Sequence, residues 1–167
     1  MQENVRILGI DPGLRNTGWG VIDKQGMRLN WVAHGVIKPP TDIPMSERLA
    51  AIAGDITDVV DDYSPNISGI EETFVNMNPK TTLLLGQARG AAMAGLALVG
   101  IPVHEFAAKK IKQSVVGTGN ADKDQVAFMI KRLLPKAGDV TADAADALAV
   151  AITTAHHSSP KSYRKSA

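Results

Sequence analysis

Hydrophobic and polar positions in this chain follow two periods. The N-terminal third holds short, nearly continuous apolar runs at residues 5–10, 17–22 and 27–37, separated by Asp11-Pro12-Gly13 and by Lys24-Gln25-Gly26. Runs of that length closed by turn residues predict strands, and three in succession predict an antiparallel meander. Pro39-Pro40 ends it. From Ser46, the expected N-cap, Leu49, Ile52, Ile56, Val59 and Val60 recur at helical spacing as far as Tyr63-Ser64-Pro65. A fourth strand at 67–70 leads into Glu71 and Glu72, then a loop through Phe74 to Met77. Asn78-Pro79 starts a helix that runs to about residue 99, since Asn caps free N–H groups and Pro loses no hydrogen bond at the first position. Its many Gly and Ala residues predict close packing against another helix, of this chain or of a second copy. A strand at 102–106, a short basic helix at 107–115, a loop at 117–120 and a helix at 122–134 follow. The final helix begins near Asp139 or Thr141 and runs to about His156. Residues 1–155 are thus expected to form one domain, and residues 156–167, poor in apolar side chains, a flexible basic tail.

At 44% hydrophobic and 21% charged, the composition is that of an ordinary globular domain. The absence of cysteine excludes a disulfide framework, a thiolate zinc site and a thiol nucleophile, and points to a reducing cytoplasm. Residues 90–103, the longest uncharged stretch, fall short of the roughly 20 needed to span a membrane and read as a buried helix entering a strand. No basic segment leads into a cleavable apolar one at the N-terminus, so neither export nor a membrane partner is expected. The net charge of +1 hides an uneven distribution. Residues 105–136 hold 7 basic and 3 acidic side chains (+4), whereas 137–155 hold none and 3 (−3). A basic segment beside an acidic one reads either as solvated helix faces or as a phosphate-binding strip next to a carboxylate cluster.

Four carboxylates stand out. Asp11 closes the first apolar run, where an acid often serves only the turn. Glu71 ends another buried run, a place unfavourable to an ionised carboxylate unless it is paired or holds a metal. Asp143 and Asp146, in ADAADALA, are spaced to lie on one helix face, although acids in a first turn also complement the helix dipole. If the four converge, each like-charged pair about 4 Å apart costs on the order of 4 kcal/mol at an effective dielectric near 20, so cations must occupy the site. Oxygen donors without Cys or His favour Mg²⁺ or Mn²⁺ over zinc. Two such ions roughly 3.5–4 Å apart serve phosphodiester hydrolysis.

The segments GIDPGLRNTGWGVI, GIEETF, LGQARG, KQSVVGTGNADKDQV and ADAADALAVA, in that order over about residues 7–155, together resemble the RuvC family of Holliday junction resolvases. The resemblance implies an α/β, ribonuclease H-like fold: a five-stranded mixed sheet, its first three strands antiparallel, flanked by helices. It further implies a homodimeric endonuclease, with two Mg²⁺ per site and Mn²⁺ able to substitute, that nicks two strands of like polarity at a four-way DNA junction. The implied setting is DNA recombination, repair and the SOS response, with a branch-migration helicase of the RuvA and RuvB type as a further partner. Asp11, Glu71, Asp143 and Asp146 match the family's four catalytic, metal-binding acids. Lys112 and Lys123 match its two functional lysines, and Phe74 the aromatic placed near the junction's crossover, unless it is tucked into the core. Arg89, Lys109 and Lys110 join Phe74 and the two lysines as expected DNA contacts. Glu72 has no assigned role, and would exchange with Glu71 if the strand ended one residue later. The four histidines match nothing catalytic and are expected at the surface.

Other classes fit less well. Sugar-kinase and actin-like ATPases open on a similar Asp-x-Gly but need two such domains, and no GxxxxGK[ST] phosphate loop occurs. A junction-binding protein without catalysis would be favoured if one of the four acids were missing, and none is. With 4% aromatic residues, stacking platforms for single strands are scarce.

Overall fold

A computed structural model of the chain describes residues 3–75 and 77–163. The apolar runs at the N-terminus form the expected meander: β1 (Asn4–Asp11), β2 (Thr17–Gln25) and β3 (Arg28–Ile37) pair antiparallel in sequence order. After α1 (Met45–Tyr63), β4 (Ile67–Glu71) returns parallel to β1. After α2 (Pro79–Leu98), β5 (Val103–Phe106) adds parallel to β4, giving the sheet order β3-β2-β1-β4-β5. The α/β fold with a five-stranded mixed sheet is therefore as expected.

Side chains alternate across a strand, so each strand feeds two cores. Leu8, Ile10, Val21 and Ile70 pack with Ile52, Ile56 and Val60 of α1 and with Ala88, Ala92 and Leu96 of α2. On the other face Val5, Ile7, Ile22 and Ile67 pack with Leu148, Val150 and Ile152 of α5 (Ala142–His157), together with residues of α3 (Ala108–Val116) and α4 (Lys123–Leu133). The same alternation turns Asp11 and Glu71 toward the α5 face, because each follows Ile7 or Ile67 by an even number of residues.

Local signals set most helix ends. Asn78 accepts from the Thr81 N–H at 3.3 Å, and Asp122 and Gln125 form a reciprocal capping box at 2.8 and 2.9 Å. Thr141 caps α5 by accepting from the Ala144 N–H at 3.5 Å, which decides the start between the two expected positions. α1 instead opens at Met45 behind Pro44, one residue before the expected Ser46 cap and without a side-chain cap. Residues 90–103 are not uniformly buried: α2 buries Ala88, Ala92, Gly95 and Leu96, but Leu98 is 86% exposed. At the C-terminus α5 continues to His157, past the expected boundary at 155. A 3₁₀ turn at Pro160–Ser162 then brings Tyr163 against the α5-side core, so the tail has structure that far. Residues 164–167 lie outside the described ones.

Candidate active site

Three elements deliver the four acids. Ile10 pairs with Ile70 across the parallel β1–β4 ladder, so Asp11 and Glu71 leave neighbouring strands side by side at their C-terminal ends. Glu71 is the last residue of β4, paired with Phe106, while Glu72 only donates its N–H to the Phe106 carbonyl at 2.9 Å. That strand end assigns the site position to Glu71. The loop after Asp11 is fastened by Thr17, whose hydroxyl donates to the Gly13 carbonyl at 2.7 Å and accepts from the Gly13 N–H at 3.2 Å. The first turn of α5 then lies on the sheet at very short range. A Cβ on Gly18, which pairs with Asp11, would overlap the Asp143 carbonyl, and one on Gly9 would overlap the backbone at Ala147 and Ala151. Glycine in the strands and alanine in the helix thus let Asp143 and Asp146 reach the strand carboxylates.

Asp11, Glu71, Asp143 and Asp146 line one cavity of about 360 Å³ with Lys112 of α3 and Lys123 of α4; Ala108, Ile111, Val126 and Ala149 complete its wall. Burial, followed by the charges of Asp146, Glu71 and Asp143, pushes the Asp11 carboxyl up to about 8, against a smaller opposing pull from Lys123. Burial and Asp146 raise Glu71, with Lys112 and Lys123 opposing. Burial also raises Asp146, with Lys123 the larger of the cations that oppose it. The lysines act at a distance, since neither forms an ion pair with the acids among the described residues. Among the described residues no three acidic or imidazole side chains close into a ready coordination set. A cavity walled by four carboxylates, one of them held protonated near neutrality by burial and then by its acidic neighbours, has the donor chemistry of a hard divalent cation site.

The other expected DNA contacts divide. Phe74 stands in the β4–α2 loop at 59% exposure, which rules out burial in the core. Lys109 and Lys110 are exposed on α3. Arg89 is turned inward: its Nε donates to the Glu71 carbonyl at 2.9 Å and its Nη2 pairs with Glu105. It ties α2 to the ends of β4 and β5, so its geometry serves the backbone of Glu71 rather than an outward contact. Sequence reading did not find this role or the Thr17 clamp, because both depend on partners brought in by folding. The histidines lie outside the carboxylate cavity; His156 and His157 are exposed, but His34 and His104 are half-buried.

The profile of the RuvC family, described as crossover junction endodeoxyribonuclease RuvC, matches residues 7–154. The chain belongs to the RuvC family. The crossover junction endodeoxyribonuclease RuvC of Hyphomonas neptunium is 60% identical over 157 residues, 94% of each protein. That of Xanthobacter autotrophicus is 58% identical over 153 residues, 92% of this chain and 90% of that one. Among solved structures, Thermus thermophilus RuvC in complex with Holliday junction substrate matches with a TM-score of 0.86 and 28% identity, covering 96% of this chain and 98% of that one. The yeast mitochondrial resolvase Ydc2, 14% identical with a TM-score of 0.66 over 90% of this chain and 79% of that one, shares the fold. RuvC membership makes the chain a divalent-metal-dependent endodeoxyribonuclease.

The raised carboxyls set a pH dependence. Folded Asp11 keeps its proton to about pH 8, whereas the unfolded chain releases it near 3.8, so between those values the folded state binds more protons. Stability in chelator is therefore expected to fall by a few kcal/mol as pH rises from about 4 to 8, at about 1.4 kcal/mol per unit for a fully expressed shift. Glu71 and Asp146 act in the same direction. Thermal melts at pH 5 and 8, with EDTA or with Mg²⁺, measure this. Mg²⁺ should recover the loss at pH 8, and Asp11→Asn should flatten the slope.

Proposed function

We propose that the chain is an Mg²⁺-dependent endonuclease that resolves four-way DNA junctions by paired, symmetric phosphodiester hydrolysis, acting as a homodimer. The observation that carries this reading is the single cavity in which four carboxylates from three elements face two lysines. Asp11, Glu71, Asp143 and Asp146 would hold the metal, two ions with Mn²⁺ as an alternative, which when bound supplies an activated water and charge stabilisation at the leaving oxygen. Lys112 and Lys123, on the wall formed by α3 and α4, bind the scissile phosphate and offset the charge that develops on it. Exposed Phe74 meets the bases near the crossover, and Lys109 and Lys110 extend the phosphate contacts.

The homodimer is supported by the two-sided character of α2. Gly95 packs against Ala53 of α1, whereas a Cβ at Gly86 or Gly90 meets no atom of the described residues within 4 Å. One small-residue face thus serves packing within the chain and the other is open to a second copy. Two cuts of like polarity also need two carboxylate sets, and a closed twofold pair supplies them. The proposed setting is cytoplasmic recombination, repair and the SOS response, alongside a branch-migration helicase of the RuvA and RuvB type. No helix among the described residues is long and apolar enough to cross a membrane.

The test is a synthetic four-way junction incubated with the protein, with and without Mg²⁺. Symmetric nicks only with the metal are expected, and failure to cut any junction in Mg²⁺ or Mn²⁺ would end the reading. Lys112→Ala and Lys123→Ala should slow single-turnover cleavage at saturating enzyme about 10–100-fold while weakening affinity only a few-fold. Binding spreads over many phosphates, whereas charge development concentrates on one. Wild-type rates at saturation would reduce both to ordinary phosphate contacts.

A further inference from the structure

α3 presents side chains to two separate cavities. At 100° per residue, Ala108, Ile111 and Lys112, which line the catalytic cavity, lie on one side of the helix, and Lys110, Gln113 and Ser114 on the other. These last three line a separate cavity of about 330 Å³ with His156 and His157 from the end of α5. Every side chain in that lining can donate a hydrogen bond, and no carboxylate belongs to it. The Ser114 hydroxyl and His156 Nδ1 are 3.0 Å apart, which fixes the ring. The His157 ring is held against Phe106, with centroids 6.0 Å apart. The C-terminal end of α5 would by itself repel an anion, but Lys24 Nζ donates to the Ala155 carbonyl at 2.5 Å and covers it. Lys24 and Lys110 supply the positive charge here: burial first, and then Lys24 for His156 and Lys110 for His157, lower the imidazole pKa values, so both rings are neutral near pH 7 and can donate through N–H.

We propose that this cavity is a second backbone subsite, binding a phosphodiester of the same DNA on the far side of α3 from the catalytic cavity. Phosphate oxygens accept from the side-chain types gathered here, and such contacts set the register of a protein on DNA. Asp146 and His157 are 11 positions apart on α5, about 16 Å at 1.5 Å per residue. For a DNA strand that runs along α5, about 3.4 Å of rise per nucleotide puts the second phosphate about five nucleotides from the cut. The inference rests on the chain being a junction endonuclease.

The experiment replaces one phosphodiester at a time by a neutral methylphosphonate along a synthetic junction, and measures binding in chelator by wild type, Lys110→Gln and Ser114→Ala. Lys110 and Ser114 are not core residues, and matching melting temperatures confirm the fold. Wild type should lose about 5–10-fold in affinity when the neutral linkage falls about four to six nucleotides from the cut, and both variants should lose much less at that linkage. Lys110→Gln should also lower the salt slope by about 0.9, the value of one released phosphate contact. A wild type that binds and cuts the junction but shows no loss in that window, or variants that lose as much as wild type, would overturn the subsite alone. A wild type that neither binds nor cuts a junction would overturn the nuclease reading, and the subsite with it.

Discussion

Asp11→Asn should abolish junction cleavage while leaving junction affinity within about threefold of wild type. The substitution keeps the shape of the side chain but removes an oxygen charge from the proposed metal site, at the point where β1, β4 and α5 meet. Loss of a ligand in a two-metal site removes several kcal/mol of transition-state stabilisation, and about 4 kcal/mol corresponds to roughly a thousandfold in rate. Binding draws on contacts away from Asp11, and a neutral Asn lessens the repulsion of phosphate. The variant should also be more stable than wild type in chelator at pH 8, because burial and three neighbouring acids disfavour the Asp11 charge. Activity and stability are thus expected to move in opposite directions, which a misfolded variant could not do. Gel-shift, nicking and melting measurements on one preparation check all three. Substantial cutting in Mg²⁺ would remove Asp11 from the site, and loss of binding with the fold intact would make its role one of recognition.

Gly9→Ala should lower stability by about 3 kcal/mol and cleavage by more than tenfold, although Gly9 is not among the residues that line the carboxylate cavity. A methyl group there would overlap the Ala147 carbonyl, the Ala151 N–H and the Ala151 side chain, so the clash is with helix backbone that no rotamer change relieves. Overpacking of this kind typically costs 1–3 kcal/mol, and the upper end applies where backbone must move. For a chain of this size that is about 6–12 °C in melting temperature. Lifting α5 from the sheet separates Asp143 and Asp146 from Asp11 and Glu71, so activity falls even at temperatures where the protein stays folded. Mg²⁺ should stabilise the variant less than it does wild type. A variant with wild-type melting temperature and rate would show that α5 is not held by this contact.

The elements themselves were legible because their signals are local. Alternating or continuous apolar runs closed by Asp-Pro-Gly and Lys-Gln-Gly give the meander, and Asn78, Asp122 and Thr141 cap helices through residues three positions away. The i,i+3 spacing of Asp143 and Asp146 likewise places both on one side of α5 whatever the helix packs against. Where the local signal is weak, the structure departs from it. α1 starts at Met45 without the Ser46 cap, and the tail gains structure through Tyr163, whose contact with the core is non-local.

Sequence by itself determined the order and approximate extent of the strands and helices, marked the four acids and the two lysines as candidates and, through the order of its motifs, pointed to the family. Only the tertiary structure decided that β4 enters beside β1, which makes Asp11 and Glu71 neighbours although 60 residues separate them. It also ended β4 at Glu71 rather than Glu72, turned Arg89 inward onto Glu71 and Glu105, and left Phe74 exposed. The two faces of α2 could not be told apart by composition, since Gly and Ala occupy both; the position of α1 separates them. Periodicity and capping act over a few residues and are written in the chain, whereas strand adjacency, helix seating and the field that raises Asp11 arise between groups far apart in sequence and exist only once the sheet is assembled.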